Sequence, residues 1–231
     1  MSLSNQTSGS KNPAQKFIKY KSSKGFIYYD KDAKTDVSIP TPFHIIPLDT
    51  LATITGWHDA SSSGIYSNEV HSTNNENLNV KSFKGGNIVS GKYSDIKNSL
   101  QGGKFTSSVY AAMIINGGED LELVNIHFSG GALSPLIEAG IKPDGSIVEV
   151  DINPVQAGKA IKYNVPMFKI HKGRENLTEK AKVIDIELQG YMNQYINDNN
   201  DNPDANTPKP KKAVADEPAV TYNGGDDDLP F

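Results

Sequence analysis

Cysteine is absent from the 231 residues, which removes disulfide staples, thiolate nucleophiles and every cysteine-based zinc or iron–sulfur site. Histidine is sparse: five are present, none paired at the spacing of a metal-binding motif, so the sequence predicts no metal and no other cofactor. No run of about 18 apolar residues exists to span a bilayer. The opening "MSLSNQTSGSKNPAQK" has no apolar segment of the kind a secretion signal needs, and the expectation is a cytoplasmic protein without a membrane partner. No Ser-His-Asp arrangement or nucleophile elbow is recognisable. The spacing supports no catalytic constellation, and the reading is of a non-enzyme.

Three near-matches to known motifs fail on chemistry. "GNIVSGKYS", Gly86 to Ser94, almost spells a phosphate-binding P-loop, but Tyr93 stands where the Mg²⁺-binding hydroxyl is required. "NGGEDL", Asn116 to Leu121, sits between two strand-like runs and reads as hairpin turn chemistry. "DKDAKTD" spaces Asp30, Asp32 and Asp36 loosely like a calcium loop, yet lacks the glycine at position 6 and the glutamate at position 12 that such a loop uses. It reads as a surface turn.

Charge is unevenly distributed. The chain carries 23 basic and 27 acidic residues; eight of the acids and three lysines fall in residues 198–231, leaving residues 1–197 close to neutral. The acidity belongs to the tail, and the body can still bind a polyanion if its lysines share one face. Composition divides the chain accordingly. Residues 1–15 read as a flexible polar arm, residues 16–197 as the folded body, and residues 198–231, with their prolines, asparagines and aspartates, as a disordered linker and acidic tip. About 30 flexible residues give such a tip a reach of roughly 30 Å.

Within the body, short runs rich in β-branched and aromatic residues alternate with Gly, Asn, Asp and Ser clusters, the signature of a mainly β protein with minor α content. In "LELVNIHF", Leu121, Leu123, Asn125 and His127 face one way and Glu122, Val124, Ile126 and Phe128 the other. Neither face is purely polar, which points to an antiparallel sheet closed into a barrel. Helical spacing is rarer. "GALSPLIEAG" predicts a short helix ending at Gly140 with Pro135 in its first turn, and "YSDIKNSL" is a weaker candidate. A longer helix over about 177–197 carries Leu177, Ala181, Ile184, Leu188, Tyr191 and Tyr195 as one apolar stripe. The stripe is expected to pack on the body rather than form a coiled-coil seam.

The remaining signal is aromatic residues interleaved with lysines. Trp57, Tyr66, Phe83, Tyr93 and Tyr110 alternate with Lys81, Lys84, Lys92 and Lys104, and Lys19, Lys21, Lys24 and Tyr28 form a similar set near the start. Aromatic faces stack on bases and ammonium groups neutralise phosphates, so this alternation can hold single-stranded nucleic acid. Some of these aromatics must be core, and alternation does not say which.

The chain ends in "DDDLPF", Asp226, Asp227, Asp228, Leu229, Pro230 and Phe231. This ending resembles the acidic tip of bacterial and phage single-stranded DNA-binding proteins. The body, from "SKGFIYYDKDAKTDVSIPTPFHIIPLDTLATITGWHDASSSGIYSNEV" through "FKGG" and "SVYAAMI", resembles a divergent phage-encoded group of such proteins. The resemblance implies an OB-fold-like core with extra elements and sequence-tolerant coating of single-stranded DNA in replication, recombination and repair. It also implies a bacterial host cytoplasm and recruitment of partner proteins by the tip, where Phe231 fills an apolar pocket and the aspartates steer toward basic rims. Assembly as a homo-oligomer stays open. The alternative is a non-catalytic interaction protein or recombination mediator of a phage that does not itself coat DNA.

Overall fold

The run "FHIIPLDTLATITGW" changes phase part-way: Phe43 and Ile45 bury at odd positions, Ala52 and Ile54 at even ones. Pro47 lies at the phase change. It has no N–H to give to a ladder, and the pairing register slips between Pro47 and Asp49, a bulge that turns the strand without moving its apolar residues off the core face. The result is one 16-residue strand, β4 (Phe43–His58), serving two apolar clusters.

The computed structural model describes residues 12–157 and 161–201. Before β4 come β1 (Lys16–Lys21), β2 (Gly25–Asp30) and β3 (Thr35–Ser38). After it come β5 (Ser63–Tyr66), β6 (Leu78–Ser82), β7 (Asn87–Gly91), helix α1 (Tyr93–Ile96), β8 (Gly103–Ile115) and β9 (Asp120–Ser129). Helix α2 (Leu133–Ala139), β10 (Ile147–Ala157), β11 (Ile161–His171) and helix α3 (Glu175–Asp201) complete the order. All eleven strands join one sheet, whose main path is β3-β2-β1-β9-β8-β4-β5-β6-β7. At β4 the sheet forks. Its end, Thr55–His58, pairs with β5, while its start, Phe43–Ile45, pairs on the same edge with β10.

The mainly β class with a C-terminal helix is as the sequence predicts; the pairing differs from an all-antiparallel closed barrel. Strands β1 and β9 run parallel, which the long excursion through β2 to β8 permits because a parallel pair needs a long crossover. The ladder path does not return on itself. The sheet instead rolls around a cluster in which Ile18, Phe26, Phe43, Ile126, Phe128 and Val150 meet, with Phe26 edge-on to Phe43 at 5.1 Å. At its open side, the Asn164 N–H of β11 donates to the Ser22 carbonyl in the β1–β2 turn (2.9 Å). A second cluster, with Ile54, Ile65, Leu78, Val80, Ile96 and Leu100, fills the space under β5–β7.

Strand β9 alternates as its sequence predicts, and its two apolar faces have a different cause from barrel closure. Val124, Ile126 and Phe128 join the rolled core, while Leu121 and Leu123 meet α3. The stripe of α3 is buried where expected: Leu177 and Leu188 are fully covered, Ala181 and Tyr191 nearly so. Helix α3 extends to Asp201, four residues beyond the expected boundary of the body. At the other end, Ala14 is buried and the Gln15 N–H bonds the Leu123 carbonyl (2.9 Å), so the last residues assigned to the arm are docked. Helix α2 stops at Gly140, whose φ of 60° is the left-handed cap that favours glycine. The three near-motifs are local structure: Asn87–Gly91 is strand β7, Asn116–Gly118 is a 3-10 turn, and Asp30 Oδ1 accepts the backbone N–H groups of Asp32 and Ala33 in the β2–β3 turn.

Candidate nucleic-acid interface

Directly opposed residues in an antiparallel pair share a face, and residues two apart along a strand share it too. Across β4, β5 and the end of β6, this rule assembles a single surface. Trp57 pairs with Gly64, and the Phe83 N–H bonds the Gly64 carbonyl (2.9 Å), so Trp57, Gly64 and Phe83 form one row. In the next row Thr55 pairs with Tyr66, Tyr66 with Lys81, and Thr55 on its other edge with Lys104. The opposite face of the same strands carries Ile54, Ile65 and Val80 into the second core cluster. Burial of one face fixes the register, and so fixes Trp57, Tyr66 and Phe83 outward.

The surface is open and apolar. Phe83 is 65% exposed and Trp57 41%, and the rings of Tyr66 and Phe83 lie 4.9 Å apart, tilted by 31°, within the separation at which aromatic pairs attract. Partial burial raises the Tyr66 phenol above its ordinary pKa, so the ring presents a neutral hydroxyl. Gly64 is what lets Phe83 lie flat: a Cβ there would sit 2.7 Å from the Phe83 ring. Lys84 follows Phe83 in the exposed β6–β7 turn. The sequence alternation flags the three aromatics, Lys81, Lys84 and Lys104; it misses Thr55 and Gly64, whose parts depend on register alone.

The remaining candidates divide. Lys19 is exposed on β1, opposite His127 of β9, which is opposite Ser108 of β8. Strand alternation puts Lys19 and Lys21 on the same side of the sheet as Lys104, and three strand steps of about 4.8 Å separate β1 from β4. Lys21 is 3.5 Å from Asp36, and Lys24 is exposed in the β1–β2 turn. Lys92 is exposed beside α1.

Three aromatics expected to stack on bases are placed otherwise. Tyr110 is fully buried under α3 and its hydroxyl donates to Glu69 Oε2 (2.7 Å); burial first, then the Glu69 charge, pushes its pKa far up. Tyr93 packs edge-on to Phe105 at 5.4 Å and belongs to the second core cluster. Tyr28 pairs with Ile18, faces the rolled core and lies 5.5 Å under the Lys16 ammonium. Each follows from which face of its strand or helix the core claimed.

Two further arrangements have no counterpart in the sequence reading. A cleft of about 200 Å³ between α2 and β8 is lined by Thr50, Ser107, Val109, Leu136 and Ile137 among others, and none of its lining residues titrates. At the start of β4, His44 comes together with Glu149 and His171, their ligand atoms within 4.8 Å of one another. No two histidines are paired at metal-ligand spacing along the sequence; the ladder pairing brings His44 and His171 together in space. The tip residues Asp226 to Phe231 lie outside the described residues.

Comparison of the chain with protein-family models, curated sequences and solved structures finds no match.

Proposed function

We propose that this chain binds single-stranded DNA without sequence preference, on the face of β4, β5 and β6, and performs no chemistry on it. The observation that carries the reading is the placement of Trp57, Tyr66 and Phe83 on one exposed surface, with Lys81 and Lys104 in the same cross-strand rows. Every base has a π-face, so such a shelf accepts any sequence; the lysines serve the phosphates that follow from base to base. Lys19 and Lys21 continue the positive charge across the sheet. The "DDDLPF" ending adds a second role, delivery of replication, recombination or repair proteins to the coated strand.

One observation favours a different class. Val183 and Ile186 are 68% and 74% exposed on the outer side of α3, apolar area that an interaction protein would use without touching DNA. The discriminating measurement is Trp57 fluorescence titrated with oligo-dT. On the DNA-binding reading the emission is quenched to saturation, and Phe83→Ala weakens binding by about 1–3 kcal/mol, the range for loss of one base-stacking ring. Gly64→Ala, which drives the ring away while leaving it present, weakens binding in the same direction. Unquenched emission together with unchanged mobility of labelled oligonucleotide assigns the chain to the interaction class.

A further inference from the structure

Strand β10 lies between the start of β4 and strand β11, and its residue Glu149 is the crossing point of both ladders: it pairs with His44 on one side and Lys169 on the other. His171, two residues beyond Lys169, lies on the same face. The two carboxylate oxygens are divided between these neighbours. Oε1 accepts from the Lys169 ammonium at 2.8 Å. Oε2 faces the Nε2 atoms of both histidines, His44 at 3.6 Å and His171 at 3.4 Å.

These separations are long for N–H···O hydrogen bonds, whose usual value is about 2.9 Å. They match the edges of a tetrahedron around a metal ion: with bonds of about 2.0–2.1 Å, neighbouring ligand atoms lie about 3.4 Å apart. The ligand atoms of all three residues fall within 4.8 Å of one another, so a small closing of the two imidazoles completes three corners. Half-exposure of both imidazoles leaves room for water at the fourth corner.

We propose that His44, Glu149 and His171 form a binding site for a divalent cation of the zinc class. Two imidazole nitrogens and one carboxylate oxygen suit Zn²⁺ and Co²⁺ and are poor ligands for Mg²⁺ or Ca²⁺, which take oxygen. The ion would tie β4 to the β10–β11 hairpin just ahead of α3. The site is at the opposite end of β4 from Trp57, thirteen positions away in the sequence, so it is independent of the DNA-binding reading.

The test uses the full chain stripped with chelator and titrated with Zn²⁺ by calorimetry, and with Co²⁺ by visible absorption. Expected are one Zn²⁺ per chain, Co²⁺ bands of four-coordinate intensity, and binding at least about tenfold weaker in both His44→Ala and His171→Ala, since two ligands no longer enclose the ion. Because both side chains are half exposed, the variants should fold, and far-ultraviolet circular dichroism verifies it. His71→Ala is the control; His71 pairs with Asp49 elsewhere on the surface (3.1 Å) and its loss should leave the isotherm unchanged. Absence of saturable Zn²⁺ binding, or binding equal in wild type and both site variants, overturns the proposal.

Discussion

Glu69 shows how a single residue sets a pH dependence. Its carboxyl is enclosed beneath the end of α3, where Tyr110 Oη donates to Oε2 and Ser108 Oγ to Oε1, Asn12 Nδ2 supports the phenol (2.8 Å), and the Glu69 N–H donates to Tyr195 Oη (3.1 Å). Burial raises its pKa, the two hydroxyls work against that, and Asp49 adds to it. A carboxyl with a raised folded pKa stabilises the fold fully below its unfolded pKa of about 4, and that stability is lost as pH rises through the folded value. His127 acts at the other end: burial, then Lys19, lowers its pKa to about 4, so its contribution is present above the ordinary histidine range and lost as pH falls toward 4. Glu69→Gln removes only the first effect. Its thermal midpoint relative to wild type should be higher at about pH 8 than at about pH 5; an equal difference at both would show that Glu69 does not change its protonation in that window.

At the scale of elements, α3 closes the second face of the central sheet. Its stripe is legible because 3.6-residue periodicity survives any tertiary context, and Leu177, Ala181 and Leu188 are buried as that periodicity requires. Its length is less legible, since "NDNND" carries no apolar marker and the helix continues through it to Asp201. Leu188 is fully buried in the cluster with Leu51, Tyr110 and Leu123, and Leu188→Ala should cost about 2–5 kcal/mol in urea or thermal unfolding. A cost comparable with that of an exposed position, such as Val183→Ala, would mean that α3 is not docked on β8 and β9 as described. Strand β4 teaches the complementary lesson. The run reads as a strand in the sequence, but its apolar residues occupy both phases; the phase change at Pro47, the two cores and the fork in the sheet appear only with burial and with the pairing partners β5 and β10.

For the whole molecule, the proposed DNA-binding face occupies the part of the sheet that α3 leaves open, and the acidic residues 198–231 begin in the last turn of α3 and follow it in the sequence. The charge of residues 198–231 opposes that of the lysine-bearing face, so removing residues 223–231 should leave oligonucleotide affinity equal or higher at low salt while abolishing capture of tip-binding partners. Both are measured by titration at several salt concentrations, where log affinity should fall against log salt by about 0.7 per phosphate contacted. Lower DNA affinity after the deletion would reassign the tail from partner recruitment to the binding face itself.

Local order determines what the sequence settles alone: the mainly β class, the alternation of β9, the stripe of α3, the turns at Asp30 and Asn116, and the capping of α2 by Gly140. Each rests on period or on turn chemistry, which act within a few residues. Which aromatics are exposed is a different kind of fact. Tyr66 and Tyr110 look alike in sequence, each directly after a β-branched residue and with serine within two positions, yet one lies on an open face and the other under a helix, because α3 covers part of that sheet side and stops. The meeting of His44 with Glu149 and His171 likewise spans more than a hundred residues. Only the ladder register of β4, β10 and β11 brings them together, since pairing, and not sequence spacing, fixes neighbours across a sheet.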